Sequence, residues 1–366
     1  MELECVKEKL QTAISNTERA TSKNTTLPIL NYVLLVANGS SLKIRATNLD
    51  LGIEFEIPAK IKKEGSVAVP GGILNNVLSG IYNSEGLKIN TEKDNLIIST
   101  PQNSVLINSI KPDDFPTIPT IKDGILFKIN SKDFTNGIKS VLYSASTSDI
   151  KPEISSLFLY QDGENIVFVS TDSFRLAEKK IKYKNIEEFT GVIIPLKNIN
   201  EIVKVFENID SEIDIKLNSN QISFYIDGIY TTSRIITGVF PDYKQIIPKD
   251  FLTEVVILKQ DLLNVFKISS IFSDKFNKTN IKIDPKNNLF EINSKNQQTG
   301  EYKTKLDASL SGEKVDFVVN YKYIIDCLNF IPQESITILL NQENKPIVIK
   351  GLGDDSFTYL VMPMNR

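Results

Sequence analysis

A chain of 366 residues, 41% of them hydrophobic, with 42 Lys and Arg against 45 Asp and Glu, has ample material for buried cores and a net charge of only −3. It has no histidine, which excludes Ser-His-Asp and Cys-His nucleophile systems and any histidine-bearing zinc site, and its two cysteines, Cys5 and Cys327, are too few for a four-cysteine site. No apolar run approaches the roughly 18 residues of a membrane span, and Glu2, Glu4 and Lys7 interrupt the start where a secretory leader would be apolar, so a cytoplasmic, reducing location without a membrane partner is expected.

The first apolar anchors, Leu10 and Ile14, are spaced for a helix. After the turn signal Asn38-Gly39, the run Leu42 to Ala46 reads as a strand. From Pro70, apolar residues stand at the fourth, seventh, eighth and eleventh places, Leu74, Val77, Leu78 and Ile81. That spacing marks one face of an amphipathic helix, and proline at its start costs nothing because the missing N–H would have no intrahelical partner. Phe115-Pro116-Thr117-Ile118-Pro119 is a stiff, extended connector. A helix around Phe134, Ile138, Val141 and Leu142 comes next, then the turn Asp162-Gly163 and a strand from Ile166 to Ser170. Pro195 opens a second helical pattern with Ile199, Ile202, Val203 and Phe206, and Asp227-Gly228 marks another turn. Phe240-Pro241-Asp242-Tyr243, with Pro248 after it, is a further stiff connector. Leu262, Val265 and Phe266 then form a helical face, Ile281 to Ile283 and Leu289 to Ile292 read as strands, and Asn320 opens Ile324, Cys327, Leu328 and Ile331.

These elements repeat. Pro70, Pro195 and Asn320 lie 125 residues apart, Leu10, Phe134 and Leu262 are separated by 124 and 128, and the two connectors begin 125 apart. Solenoid units run roughly 20 to 50 residues, so this period describes a globular domain written three times. The boundaries fall at the connectors, giving domains 1–120, 121–247 and 248–366. Each reads helix, strands, helix, strands, an α+β layout with helices packed on one face of an antiparallel sheet.

Catalytic chemistry finds little support. Gly71-Gly72 and Gly351-Leu352-Gly353 lack the lysine of a phosphate-binding loop, and the pairs Asp113-Asp114 and Asp354-Asp355 read as solvated turn residues. No catalytic residue, metal or cofactor is expected. Opposite the apolar stripes, Lys132, Asn136 and Lys139 share one helix face, matched by Gln260, Asn264 and Lys267 in the third repeat. Lys197 and Lys204 share another, with Lys322 equivalent to Lys197. These faces are neutral to basic with few carboxylates, and a locally basic face can bind nucleic acid on an acidic protein.

Four motifs at matching spacing resemble the β subunit of bacterial DNA polymerase III, the replication sliding clamp. They are Thr26-Leu27-Pro28-Ile29-Leu30, Val169 to Ala177 with its Thr171-Asp172 and Arg175-Leu176-Ala177, Phe240-Pro241-Asp242-Tyr243 followed by Pro248, and the terminal Val361-Met362-Pro363-Met364. The resemblance spans the whole chain. It implies a head-to-tail homodimer, a ring of six similar domains with sheets outside and helices lining the hole. Such a processivity factor threads double-stranded DNA without reading its sequence and tethers the polymerase III catalytic subunit, the clamp loader and other proteins carrying a clamp-binding motif. Sliding needs only diffuse attraction to phosphates.

Carried over by position, the resemblance assigns three groups. A peptide-binding pocket comprises Ile154, Thr171, Ser173, Phe174, Arg175, Leu176, Pro241, Gln245, Ile246, Pro346, Leu360, Met362, Pro363 and Met364. Flexible, polarizable methionines suit a wall that repacks around different partners; without the resemblance, Met362 and Met364 read as core or a frayed tail. Contact with DNA falls to Lys23, Asn24, Lys132, Lys139, Ser148, Lys151, Lys197, Lys204 and Lys267, and the dimer seam to Val105 and Ile107 against Ile271 and Phe272. Read alone, each seam residue is ordinary core. The sequence departs from the family pattern where Ser173-Phe174 replaces Gly-His, where Lys244-Gln245 replaces a common cation, and at Ser148, where a longer polar side chain can occur. Two further readings are a carboxylate enzyme using Asp172 and Asp242, and a three-domain interaction scaffold, such as a diverged clamp paralogue, that never encircles DNA.

Overall fold

The computed structural model describes residues 1–22, 26–82, 85–183, 189, 191–342 and 344–365. Among these, six α-helices occur, two per repeat: α1 Lys7–Thr17, α2 Gly71–Gly80, α3 Ser131–Leu142, α4 Leu196–Phe206, α5 Lys259–Ser269 and α6 Tyr321–Leu328. Of the apolar anchors read from the sequence, Val77 and Leu142 are half-buried and the others are buried. Pro70, Pro195 and Asn320 each end a strand, Gly65–Pro70, Val192–Pro195 and Val315–Asn320, that runs straight into a helix. They therefore stand one place before the first turn. Pro70 keeps extended geometry there, and the Asn320 side chain caps α6 by accepting from the Lys322 N–H at 3.0 Å.

Each repeat also begins with a strand that a helix-first reading omits: Glu2–Val6, Ile125–Asn130 and Thr253–Leu258. These segments are short, and Glu2–Val6 and Thr253–Leu258 pass into the helix without a turn residue, while Ile125–Asn130 ends on Asn130, whose side chain accepts from the Lys132 N–H at 2.9 Å. The three hairpins at Asn38-Gly39, Asp162-Gly163 and Asp227-Gly228 form as expected, with left-handed φ of 59° at Gly39, 58° at Gly163, and 40° and 78° at Asp227 and Gly228.

The chain divides into two compact units, one of residues 1–135 and 197–235, the other of 136–196 and 236–366. Hydrogen-bonded sheets that continue from one repeat into the next account for this division of the middle repeat. In the first unit, strand Ile229–Arg234 of the middle repeat pairs antiparallel with Leu51–Pro58 of the first, completing an eight-stranded sheet among the described residues. A five-stranded sheet in the same unit runs Lys60–Lys63, Glu2–Val6, Gly86–Glu92, Asn95–Ser99, Ser104–Ile107. α1 packs on α2 and on Leu51–Pro58.

In the second unit, Arg175–Lys182 of the middle repeat pairs with Phe357–Val361 of the third, from Arg175 opposite Val361 to Lys179 opposite Phe357. The nine-stranded sheet so formed runs Val192–Pro195, Ser156–Asp162, Asn165–Thr171, Arg175–Lys182, Phe357–Val361, Ile347–Gly351, Ser335–Leu340, Thr253–Leu258, Ser309–Gly312. A four-stranded sheet runs Gly300–Leu306, Leu289–Asn296, Lys278–Asp284, Val315–Asn320, with α5 packed on α6 and on its first strand. Where α3 crosses this unit's sheet, a Cβ on Gly137 would stand 2.7 Å from Phe168 and 2.9 Å from Ile181, so glycine is what lets helix and sheet approach.

Candidate functional site

The joint between Arg175–Lys182 and Phe357–Val361 carries a cavity of about 980 Å³. Leu176 and Leu360 are cross-strand partners there, 1% and 2% exposed, and form its floor. On the same face of the sheet they join a buried cluster with Val167, Val169, Phe240, Tyr243 and Val348, since strand alternation brings these positions to one side. Ile154 and Thr171 line it together with Pro241 of the second connector and with Gln245 and Ile246, carried by the 3₁₀ turn Tyr243–Ile246. Pro346, Ser173, Phe174, Arg175 and Met362 complete the part that the sequence reading anticipated. Pro363 and Met364 instead line an adjoining cavity of about 490 Å³, which shares Phe174 and Met362 with the first.

Both cavities extend further. The first continues along Pro248, Lys249, Asp250 and Leu252 and the facing segment Asn341, Gln342, Asn344 and Lys345, with Asp242 and Tyr243 also on its wall. The second adds Phe276, Lys278, Asn320, Tyr323 and Asn365. Of these, Asp242, Tyr243, Pro248 and Asn320 belong to motifs read in the sequence, whereas Lys249, Asp250, Leu252, Asn341, Gln342, Asn344, Lys345, Phe276, Lys278 and Asn365 have no periodicity to single them out.

The rim is built by a tight turn. The Asp172 carboxylate accepts from the backbone N–H of Phe174 at 2.9 Å and of Arg175 at 3.0 Å, which holds Ser173 at φ 78°. Left-handed backbone at serine costs roughly 1–2 kcal/mol, so the side-chain bonds of Asp172 hold a conformation that the resemblance assigns to glycine. Phe174 is left 62% exposed between the cavities. Arg175 points inward: its guanidinium meets Asp172 at 3.0 Å and Asp326 of α6 at 2.5 Å, and lies 4.4 Å from the Tyr323 ring centre and 5.8 Å from that of Tyr143. Asp172 is therefore committed to the turn and to Arg175, and Asp242 accepts from Gln245 at 2.5 Å. Neither is presented as a general acid or base.

Under the floor, Tyr243 donates to the buried carboxylate of Glu178, and the Tyr160 and Tyr243 hydroxyls are 2.6 Å apart. Burial, with the Glu178 charge beside it, raises the Tyr243 phenol above its ordinary range and keeps it a donor. The C-terminal segment is not frayed. Met362 N–H donates to the Phe174 carbonyl at 2.8 Å and Met364 N–H to the Val318 carbonyl at 2.7 Å, so both methionines are fixed at the backbone and free to repack at the thioether.

Three family models match the chain in succession: the DNA polymerase III beta subunit N-terminal domain over residues 1–119, its central domain over 128–242 and its C-terminal domain over 244–365. The chain belongs to the DNA polymerase III beta subunit family. A beta sliding clamp of Staphylococcus epidermidis is 27% identical over 361 residues, 96% of each chain. The DNA polymerase sliding clamp of Bacillus subtilis has the same fold, with a TM-score of 0.95 at 22% identity over 100% of this chain and 99% of that one. So does the DNA polymerase III beta subunit of Thermotoga maritima, with a TM-score of 0.94 at 24% identity over the same shares.

The remaining residues assigned by likeness to this beta subunit family are distributed as follows. On strand Ser104–Ile107, Val105 is half-buried, Leu106 is 57% exposed and Ile107 only 3%. Ile107 thus packs within its own sheet and Leu106 faces outward, as the two-residue alternation of a strand requires. Ile271 is 61% exposed, and Phe272 stacks on Tyr302 with ring centres 6.2 Å apart.

Lys132 and Lys139 on α3, Lys197 and Lys204 on α4 and Lys267 on α5 are all exposed. Lys132 pairs with Asp210 at 2.6 Å, a carboxylate outside the helix that a helix-face reading misses, and Lys204 with Glu201 at 2.8 Å on the same helix. Ser148 and Lys151 sit in an exposed loop, while Lys23 and Asn24 lie outside the described residues. Among the described residues, no helix is long and apolar enough to cross a membrane.

Proposed function

We propose that this chain is a DNA sliding clamp subunit, a non-catalytic processivity factor whose two copies close head to tail around duplex DNA in the cytoplasm. The observation that carries the ring is the set of sheet edges. Leu51–Pro58, Arg175–Lys182 and Gly300–Leu306 occupy equivalent places in the three repeats, starting 124 and 125 residues apart. Ser104–Ile107, Ile229–Arg234 and Phe357–Val361 form a second equivalent series, starting 125 and 128 apart. The first two joints pair one strand from each series: Leu51–Pro58 with Ile229–Arg234, and Arg175–Lys182 with Phe357–Val361. One strand of each series is left over, Gly300–Leu306 and Ser104–Ile107, and both are open edges.

A third joint of the same kind, made between two copies, uses both and leaves neither edge exposed. Ile271 and Phe272 flank Gly300–Leu306, with the Thr299 hydroxyl donating to the Ile271 carbonyl at 3.1 Å, and the opposite edge carries Val105, Leu106 and Ile107, which supports an apolar seam there. In this reading the domains are 1–120, 121–247 and 248–366, and Lys132, Lys139, Lys151, Lys197, Lys204 and Lys267 contribute diffuse attraction to phosphates. The cavity at the second joint takes a short apolar peptide segment, by which the polymerase III catalytic subunit, the clamp loader and other partners are tethered. Tethering acts through effective concentration, turning polymerase rebinding into an intramolecular event. Native mass measurement at micromolar concentration tests the assembly: a dimer of the 41.1 kDa chain is expected, and a monomer would favour a scaffold that never closes.

A further inference from the structure

One wall of the first cavity has an anchor of its own. Along strand Arg175–Lys182 the two-residue alternation puts Leu176, Glu178 and Lys180 on one face, so the floor residue shares its face with a carboxylate only 4% exposed. Glu178 accepts from the Tyr243 hydroxyl and pairs with the Lys180 ammonium at 3.2 Å. Tyr243 opens the 3₁₀ turn that carries Gln245 and Ile246. A phenol donating to a carboxylate makes a charge-assisted bond, about twice as strong as one between neutral groups. Aromatic contacts close a circle around it: Tyr160 to Phe158 at 5.0 Å, Phe158 to Phe240 at 4.6 Å and Phe240 edge-on to Tyr243 at 6.2 Å between ring centres, with the Tyr160 hydroxyl 2.6 Å from that of Tyr243. Phe240 and Tyr243 belong to the connector, Phe158 and Tyr160 to strand Ser156–Asp162. The turn's other charged tie, Lys244 to Asp162 at 3.1 Å, is exposed at both ends and holds little.

The first joint has the same architecture without this anchor. Ile118 stands 125 residues before Tyr243, and Gly52 stands 124 before Leu176. A Cβ on Gly52 would lie 2.8 Å from Ile118, so there the connector packs directly onto the strand. Glu54, in the place of Glu178, is turned instead to Arg45 at 2.5 Å and Lys43 at 3.6 Å.

We infer that Glu178 is a positioning residue for partner binding: through Tyr243 it holds the second connector where Pro241, Gln245 and Ile246 form a wall, instead of closing onto Leu176. This rests on the reading of the first cavity as a peptide site. Glu178 is not among the described residues that line the cavity, so it acts on a bound peptide only through the turn.

The test is fluorescence anisotropy with a labelled apolar peptide carrying adjacent Leu and Phe, on variants that circular dichroism shows to be folded. Glu178→Leu and Tyr243→Phe are each expected to weaken binding about tenfold, and the double variant no more than either alone, because both remove one bond. Glu178→Gln keeps an acceptor for the Tyr243 hydroxyl and should stay within about threefold. Tyr243→Phe against Glu178→Gln makes the same comparison should Glu178→Leu fail to fold. Ile138→Val, buried on α3 and outside this cluster, should lower Tm without changing affinity, which separates positioning from loss of stability. Binding by Glu178→Leu and Tyr243→Phe within about twofold of the unaltered protein, or an equal loss in Glu178→Gln and Glu178→Leu, would overturn the inference and leave the peptide site in place. Failure of the unaltered protein to bind the peptide would overturn both readings together.

Discussion

Replacing Arg175 by glutamine keeps a polar side chain at the pocket rim but removes the charge that joins three elements. In the folded protein the Arg175 side chain is 12% exposed and bridges Asp172, 16% exposed, and Asp326, 41% exposed. Removing one partner of a fully buried pair costs about 3–5 kcal/mol. The half-solvated Asp326 recovers part of its hydration, since exposed pairs are worth only about 0–1 kcal/mol. Loss of the contact with Tyr323 adds about 1 kcal/mol. The expected cost is therefore about 2–3 kcal/mol. For a unit of about 190 residues this lowers Tm by roughly 5–10 °C, measurable by circular dichroism. A cycle with Asp326→Asn should show a coupling of at least about 1 kcal/mol, because the two groups touch. Since the same guanidinium fixes the Asp172 turn and Tyr323, peptide affinity should also fall, by roughly fivefold or more. A Tm within 1 °C of the unaltered protein, with no coupling and unchanged peptide affinity, would show that Arg175 is a solvated rim residue and that the bridge organises nothing.

Other consequences follow from the same geometry. Val105→Asp and Ile271→Asp should each shift the dimer to monomer without lowering its melting temperature, read by native mass measurement; dimers that persist in both would contradict the seam. Lys267→Ala should reduce the slope of log K against log salt for DNA by about 0.9, and Lys132→Ala by clearly less because Asp210 already offsets its charge; equal changes would contradict that distinction. Burial pushes the Cys5 thiol from an ordinary value of 9.0 up to about 12. Between these values the unfolded chain has released a proton that the folded chain retains, so stability falls with rising pH by about 1.4 kcal/mol per unit, and Cys5→Val should show a shallower alkaline loss in denaturant titrations. An identical loss in both proteins would show that the thiol is not held protonated.

The repeat, the six helices and most of the first cavity were legible because each rests on local chemistry: helical spacing from Pro70, Pro195 and Asn320, turn residues at the hairpins, and matching motifs at the cavity walls. Burial on the short strand Ser104–Ile107 was not, because four residues hold too little alternation to tell that Leu106 faces outward and Ile107 inward. Phe276 and Lys278 were invisible for a different reason. They reach the second cavity only through the tertiary placement of the terminal segment, pinned at Val318, and nothing within their own stretch of chain reports that placement. The pairing of Lys132 with Asp210 is likewise a contact between elements. Nor does any residue pattern tell which sheet edges remain open; that follows from the two joints already made within the chain.

Ring closure is the central claim, and topology tests it most directly. Protein loaded by a clamp loader onto nicked circular DNA, then passed over a sizing column at moderate salt, should co-elute with the circle and be lost when a single restriction cut linearises it, because a closed ring leaves only over an end. Equal retention on circle and line, or equal loss from both, would contradict encirclement and leave ordinary surface binding as the account of its hold on DNA.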